Sequence, residues 1–333
     1  MKILVCGGAG FIGSAFIRNY LKNNPEHKII NLDSLTIGSN LKNLKEVKQN
    51  NNYQFIKGDI KNQKIIDDLA KDVNIIINFA AESHVDRSIA NPKPFIETNI
   101  LGTYSLLEAT KKYDNLLIHV STDEVYGDAK NEDSFTEKSI INPSNPYSAT
   151  KASADHLVSA YHRTYGIKCI TTRCTNNFGS YQFPEKLIPK TIIRAKKDLK
   201  IPLYGNGEQI RSWIYVYDHV QAIEDLISKG VVGEKYNITS WNEISNKMIV
   251  EKILDLLGKS NDLIEFVEDR PGHDKRYSIN SSKIENEVGW KPKFEFEYAL
   301  KETVEWYKKN QSWWEPLVDE NSLHHKPWTL NWK

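Results

Sequence analysis

Three absences narrow the field before any motif is read. The 333-residue chain has no apolar run near the roughly 20 residues that a membrane-spanning helix needs, so no membrane partner is expected. It also has almost no surplus charge. Lys plus Arg number 44 against 43 Asp plus Glu, and the formal +1 is too small to draw nucleic acid or anionic lipid through the field of the whole molecule. Any phosphate ligand must be held by a few local cations. Only three cysteines occur, Cys6, Cys169 and Cys174, each in or at the end of an apolar run that reads as a buried strand. An odd count cannot pair completely, so they read as reduced core residues. No cluster has metal-ligand spacing, and no metal is expected. The first strand begins too near Met1 for a signal peptide, which makes the expected location cytoplasmic.

What is present is an alternation. Short apolar runs at Lys2 to Cys6, Lys28 to Asp33, Gln54 to Lys57, Asn74 to Asn78, Leu116 to Ser121 and Lys168 to Arg173 read as strands. Between them, Pro94 to Tyr113 and Tyr147 to Tyr165 space apolar residues three and four apart, as helices packed on a sheet do. The pattern predicts an α/β fold, a doubly wound parallel sheet of Rossmann type, over residues 1–175. Residues 176–310 read mainly as a smaller C-terminal substrate-binding lobe of loops and helices near Val216 to Ser228, Ile244 to Leu257 and Glu295 to Lys309, from which the chain can return to the sheet. Residues 311–333 form a tail with Trp313, Trp314, Trp328 and Trp332, half of all eight tryptophans, expected to pack on the body or on a sister subunit.

The first strand runs into Gly7-Gly8-Ala9-Gly10-Phe11-Ile12-Gly13. A Gly-rich turn between a strand and a helix lets backbone approach a pyrophosphate, whose charge meets the unpaired N–H groups of the helix start. Gly7, Gly10 and Gly13 are the candidate cradle. Asp33 ends the second strand about 20 residues on, where a carboxylate accepts from an adenosine ribose and repels a 2′-phosphate, favouring NAD over NADP. Asp59, followed by Ile60, reads either as an adenine contact or as a solvent-exposed turn.

Tyr147 and Lys151 lie four apart at a helix start and so share a face. A nearby ammonium stabilises a phenolate, which would let Tyr147 take a proton from a hydroxyl. The run Ser121-Thr122-Asp123-Glu124 follows a strand and emerges at the carboxyl edge of the sheet, where ligands bind. Adjacent carboxylates raise one another's pKa, so one can serve as acid and the other as base.

These motifs, with Ala80 to Ser88, Asn176-Asn177, Tyr181 to Pro189 and Arg270-Pro271-Gly272-His273-Asp274, resemble the extended short-chain dehydrogenase/reductase family, in its branch of nucleotide-sugar 4,6-dehydratases. The likeness runs from the Gly turn to about residue 310. It implies that Tyr147 is the base for C4 oxidation with Lys151 beside it, Asp123 the acid at C6, Glu124 the base at C5, and Thr122 a hydrogen-bond donor to the C4 oxygen. It implies NAD contacts from Phe11, Ile12, Asp33, Ser34, Thr36, Asp59, Ile60, Ala80, Ala81, Ser83, Thr98 and Asn177. It implies a nucleotide-sugar site, with dTDP-glucose as ligand and UDP-glucose as the alternative, lined by His84, Asn176, Lys186, Leu187, Pro202, Tyr204, Arg211, Asn246, Arg270 and His273, and a homodimer. Sister enzymes such as nucleotide-sugar epimerases and decarboxylases share Tyr147 and Lys151 but lack the paired Asp-Glu. A non-catalytic sensor tends to lose the tyrosine or the lysine. The chain departs from the family pattern at Ser212, where Asp is usual, at Phe178 and Ser180, and in its tail.

Overall fold

The computed structural model describes residues 1–130 and 133–332. Its main sheet has seven parallel strands in the order Lys235–Ile238, Lys168–Cys174, Leu116–Thr122, Ile75–Asn78, Lys2–Cys6, Lys28–Asp33, Tyr53–Lys57. The first strand shows why the run is apolar throughout. Ile3 and Val5 enter one core, against helices Phe11–Asn23 and Val216–Lys229, while Leu4 and Cys6 enter the other, against helices Gln63–Ala70, Thr103–Tyr113 and Pro146–Tyr165. Side chains alternate faces along a strand, so a sheet covered on both sides needs an unbroken hydrophobic strand.

The six strands predicted from the apolar runs are present, each end within one residue of its expected place. The seventh, Lys235–Ile238, is the chain's return to the sheet. Its four residues give no alternation to read. All three cysteines are buried and free. The expected single helix from Pro94 to Tyr113 is instead three pieces: a short turn at Lys93–Phe95, a wider π segment at Ile96–Gly102, and the helix Thr103–Tyr113. The wide turn has a polar cause. Asn99 accepts from the Glu82 N–H at 2.9 Å and donates to the Glu82 carbonyl at 3.0 Å, which fixes the loop that follows the fourth strand.

Beyond residue 175 the structure holds more strand than the loops expected there. Glu243–Ser245, Ile210–Tyr215 and Asn176–Phe178 form one small sheet, and Ile264–Val267 pairs with Ile201–Tyr204. These strands are three to six residues long, too short for period-two patterning to stand out.

Strand order reverses between Lys2–Cys6 and Ile75–Asn78, and the loops leaving these two strands diverge there. The contact is close. A Cβ on Gly7, whose φ is +78°, would sit 2.5 Å from the Ala80 nitrogen. This crevice at the carboxyl ends of the strands is where open α/β sheets bind ligands.

Behind the crevice a buried polar chain crosses the strands. Arg173 donates to Asp155 at 2.8 Å and to the Tyr126 hydroxyl at 2.7 Å, and Tyr126 donates to Asn237 on the returning strand at 2.9 Å. Asp155 and Arg173 are each 1 % exposed. Asp155→Ala would leave the guanidinium buried without its counter-charge, at a cost of about 3 to 5 kcal/mol. The expected result is a clear drop in the denaturant midpoint of unfolding. A midpoint within error of the parent would show that the pair carries no such weight.

Candidate active site

The Gly-rich turn opens on a cavity of about 400 Å³. Gly13 must be glycine for packing, because its Cβ would lie 2.4 Å from the Gly7 carbonyl oxygen, whereas the space beside Gly10 is nearly open. No side chain caps the helix that begins at Phe11, so its first N–H groups are left for a ligand. Asp33 is buried and shapes the turn. Its carboxylate accepts from the Ala9 N–H at 2.9 Å and the Leu35 N–H at 2.8 Å, leaving further lone pairs for a ribose hydroxyl. A dinucleotide fits this cradle: uncapped N–H groups for a diphosphate and an ionisable carboxyl for a diol.

Every residue expected at the cofactor lines this cavity: Gly7, Gly10, Phe11, Ile12, Gly13, Asp33, Ser34, Thr36, Asp59, Ile60, Ala80, Ala81, Ser83, Thr98, Tyr147, Lys151 and Asn177. Thr122, Asp123 and Glu124 line it too. A second cavity of about 160 Å³ adjoins it, sharing Ser83, Glu124, Asn176, Glu185 and Lys186. Around it lie His84, Leu187, Pro202, Tyr204, Arg211, Asn246, Arg270 and His273. The expected site residues are therefore brought together in two joined cavities, with Glu124 at the join.

The strand Leu116–Thr122 delivers the carboxylates, and a single 3₁₀ turn, Asp123–Tyr126, holds them. Thr122 serves as its cap, accepting from the Glu124 N–H at 3.3 Å while its hydroxyl donates to Asp123 Oδ1 at 3.1 Å. Asp123 is 2 % exposed, and its Oδ2 meets no donor. Burial, with the Glu124 carboxylate next to it, pushes the Asp123 carboxyl up to about 8. It is therefore a carboxylic acid at neutral pH. On the far side of Glu124, the Tyr277 hydroxyl gives its one proton to Asp274 at 2.7 Å and lies 3.3 Å from the Glu124 carboxylate.

Tyr147 sits in the first turn of its helix behind an Asn145 capping box, and its N–H donates to Ser88 at 3.1 Å. Burial holds the phenol well above its ordinary value, and Glu124 and Cys174 add to this, while the Thr122 hydroxyl favours the anion. The expected lowering of the phenol by Lys151 is not found: the Lys151 ammonium donates instead to the Val120 carbonyl at 2.7 Å, and burial lowers its pKa to about 8.

The cations of the second cavity are anchored. Arg270 donates to Asp86 at 2.9 Å, and the Tyr204 hydroxyl donates to the other oxygen of Asp86 at 2.8 Å. Burial opposes ionisation of Asp86, but Arg270 and Tyr204 outweigh it and hold the carboxyl down at about 2. Arg211 lies 4.1 Å over the Tyr277 ring and donates to the Asp274 carbonyl at 2.9 Å. Ser212, the departure beside it, shares a hydrogen bond with Thr239 at 2.7 Å, so Arg211 keeps its place. Lys186 donates to the Ser83 carbonyl at 2.8 Å. Burial lowers both His84 and His273 to about 4, leaving them neutral.

Asp86, Arg87, Glu185, Lys190 and Tyr277 also line the cavities and were not among the expected site residues. The first three fall inside the quoted motif stretches, where a charge in a buried loop was the available signal. Lys190 and Tyr277 carry none.

Fold and cavities together define a dinucleotide-binding α/β protein with a second ligand pocket at its strand ends. The family model described as GDP-mannose 4,6 dehydratase matches residues 4–303. The dTDP-glucose 4,6-dehydratase of Escherichia coli is 47 % identical, over 96 % of this chain and 97 % of that protein. Among solved structures, the dTDP-glucose 4,6-dehydratase of Bacillus anthracis, in complex with NAD, is 49 % identical with a TM-score of 0.90, covering 96 % of this chain and all of that one. The enzyme of the same name from Streptomyces venezuelae, with NAD bound, is 43 % identical with a TM-score of 0.93 over the same shares. The chain belongs to the GDP-mannose 4,6 dehydratase family of NAD-binding nucleotide-sugar enzymes.

Asp123 sets a pH dependence of stability. Its folded pKa is raised, so the folded protein keeps a proton that the unfolded chain releases from about pH 4 upward. Stability is full below that point and is lost as pH rises towards about 8, by an amount on the order of a few kcal/mol. Asp123→Asn removes this term. Its melting temperature should gain on the parent between pH 5 and pH 8 and run parallel above. Parallel curves over the whole range would mean that Asp123 ionises normally.

Proposed function

We propose that this protein is an NAD-dependent nucleotide-sugar 4,6-dehydratase that converts dTDP-glucose to the 4-keto-6-deoxy sugar nucleotide and water. The observation that carries the reading is a buried Asp123, one oxygen of which meets no donor, adjoining Glu124 in one cavity with Tyr147. NAD, when bound, supplies a two-electron acceptor for C4 whose electron pair returns to C6, so no external oxidant is consumed. Tyr147 takes the C4 hydroxyl proton while Thr122 donates to that oxygen. Once C4 is a ketone, the C5 proton is acidic and Glu124 removes it. Asp123 gives its proton to the departing C6 hydroxyl, which leaves as water, and the proton that Glu124 took returns to C5 when the electron pair reaches C6. Burial at the join of the two cavities suits this division of labour, since it keeps one carboxyl neutral beside another within reach of bulk water.

Arg211, Arg270 and Lys186 supply the positive charge for a diphosphate in a protein with no basic surplus. Both arginines are held rigidly before any ligand arrives. Thymine as the base is supported by the names of the relatives. A homodimer is supported by exposed apolar side chains on neighbouring helical segments, Ile96, Leu101, Tyr104 and Tyr165. Three free, buried cysteines suit the cytoplasm. The division into residues 1–175, 176–310 and 311–333 suits the separate sheets, with Lys235–Ile238 returning to the first.

Two measurements test the reading. Asp123→Asn and Glu124→Gln remove proton transfer alone, typically 10²- to 10⁴-fold in rate. C4 oxidation persists in them, so adding dTDP-glucose should build up near-ultraviolet absorbance of reduced nicotinamide, while Tyr147→Phe should show none. Normal turnover in the carboxylate variants would move the assignment to an epimerase-like reaction. Arg270→Ala or Arg211→Ala should weaken dTDP binding tenfold or more, the worth of one charge-assisted contact. Unchanged dTDP affinity in both would place the diphosphate elsewhere.

A further inference from the structure

The tail that follows the last long helix packs against residues that line the second cavity. It is anchored first at Trp313, whose indole donates to Asn43 at 2.9 Å, and at Trp314, whose indole donates to the Tyr307 carbonyl at 2.9 Å. Arg194 then takes hold of it through the Leu323 carbonyl at 2.5 Å and the His325 ring at 2.6 Å. At that clamp and beyond it the tail touches residues of the pocket wall directly. Lys190, buried in the wall, donates to the His324 carbonyl at 2.5 Å. Trp328 meets the Tyr204 ring edge to face, with centroids 4.8 Å apart.

Tyr204 is not an isolated ring. Its hydroxyl donates to Asp86, and Asp86 in turn fixes Arg270, so a contact on the ring reaches a pocket cation through two short hydrogen bonds. His273 lies on the same ring at 6.2 Å. Without Trp328 the ring loses the contact on the tail side and gains rotational freedom, and the donor that fixes one Asp86 oxygen is no longer held.

We propose that residues 324–332 brace the wall of the nucleotide-sugar pocket from outside the cavity, and that Trp328 is a positioning residue for Tyr204, Asp86 and Arg270 that sets substrate affinity. This rests on the nucleotide-sugar reading of the pocket. Trp328 touches neither the carboxylate pair nor the Gly-rich turn, so its effect falls on binding rather than on the chemical step.

The test is steady-state kinetics with dTDP-glucose on Trp328→Ala, Trp328→Phe, Tyr204→Phe and the double variant Trp328→Ala with Tyr204→Phe, all in the full chain. Trp328→Ala should raise KM roughly 3- to 10-fold, the worth of one aromatic pair, with kcat within twofold. Trp328→Phe should restore most of the loss. The double variant should be no worse than the more impaired of its two parents, because both changes release the same carboxylate. Trp328 is half-buried, and melting curves check that the variants fold. An unchanged KM in a folded Trp328→Ala, or additive losses in the double variant, overturns the proposal while the dehydratase reading stands. A parent protein with no dehydratase turnover overturns both.

Discussion

A carboxyl group kept from water, with one oxygen that meets no donor, is the constraint on which the other features of the site converge. Burying a carboxylate is expensive, and the protein meets the cost by leaving Asp123 protonated. That choice dictates the surroundings. The single proton of the Thr122 hydroxyl goes to one carboxyl oxygen and leaves the other without a donor, the neighbouring Glu124 must be reachable from the second cavity, and the strand end that carries the three residues must not move. A 3₁₀ turn capped by Thr122 holds the spacing, and the Tyr277 hydroxyl lies beside Glu124 on the opposite wall.

Stiffness at that strand end is supplied from below. The chain from Asp155 through Arg173 and Tyr126 to Asn237 links the helix that carries Tyr147 to the two outermost strands on that side. Its members lie on four separate elements, so the return of the chain at Lys235–Ile238 does more than add a strand. It supplies the last acceptor, without which the Tyr126 hydroxyl would be buried with its proton unshared.

The fold and the site were legible to different degrees, for physical reasons. Strands buried on both faces need unbroken apolar runs, so Lys2–Cys6 and Lys28–Asp33 could be read to the residue. The Gly-rich turn was readable because Gly7 and Gly13 answer to backbone contacts that a Cβ would break. The return strand was not, since four residues carry too little pattern. The break in the helix at Pro94 to Tyr113 is not legible, because propensity sees apolar spacing and cannot see Asn99 turning to the Glu82 backbone across the fold. In the site, the acid and base stood out as adjacent carboxylates at a strand end. Asp86 did not, although it lay within a quoted motif, because its work is done on Arg270, 184 residues away.

The same distinction explains how a nearly neutral protein can hold a diphosphate. A basic surface attracts anions from afar but leaves its lysines solvated and mobile. Here the arginines are each fixed first, Arg270 by Asp86 and Arg211 by the Tyr277 ring and the Asp274 carbonyl. The ordering cost of each guanidinium is then met during folding, so less of the contact energy is lost when a ligand arrives. Partnering a cation with a carboxylate weakens its pull at long range, and local concentration of charge replaces steering. A pocket of this kind selects for a ligand whose anionic groups match fixed positions, the demand a nucleotide sugar makes when neighbouring ring carbons have to meet Tyr147 and Glu124 in the proposed reaction.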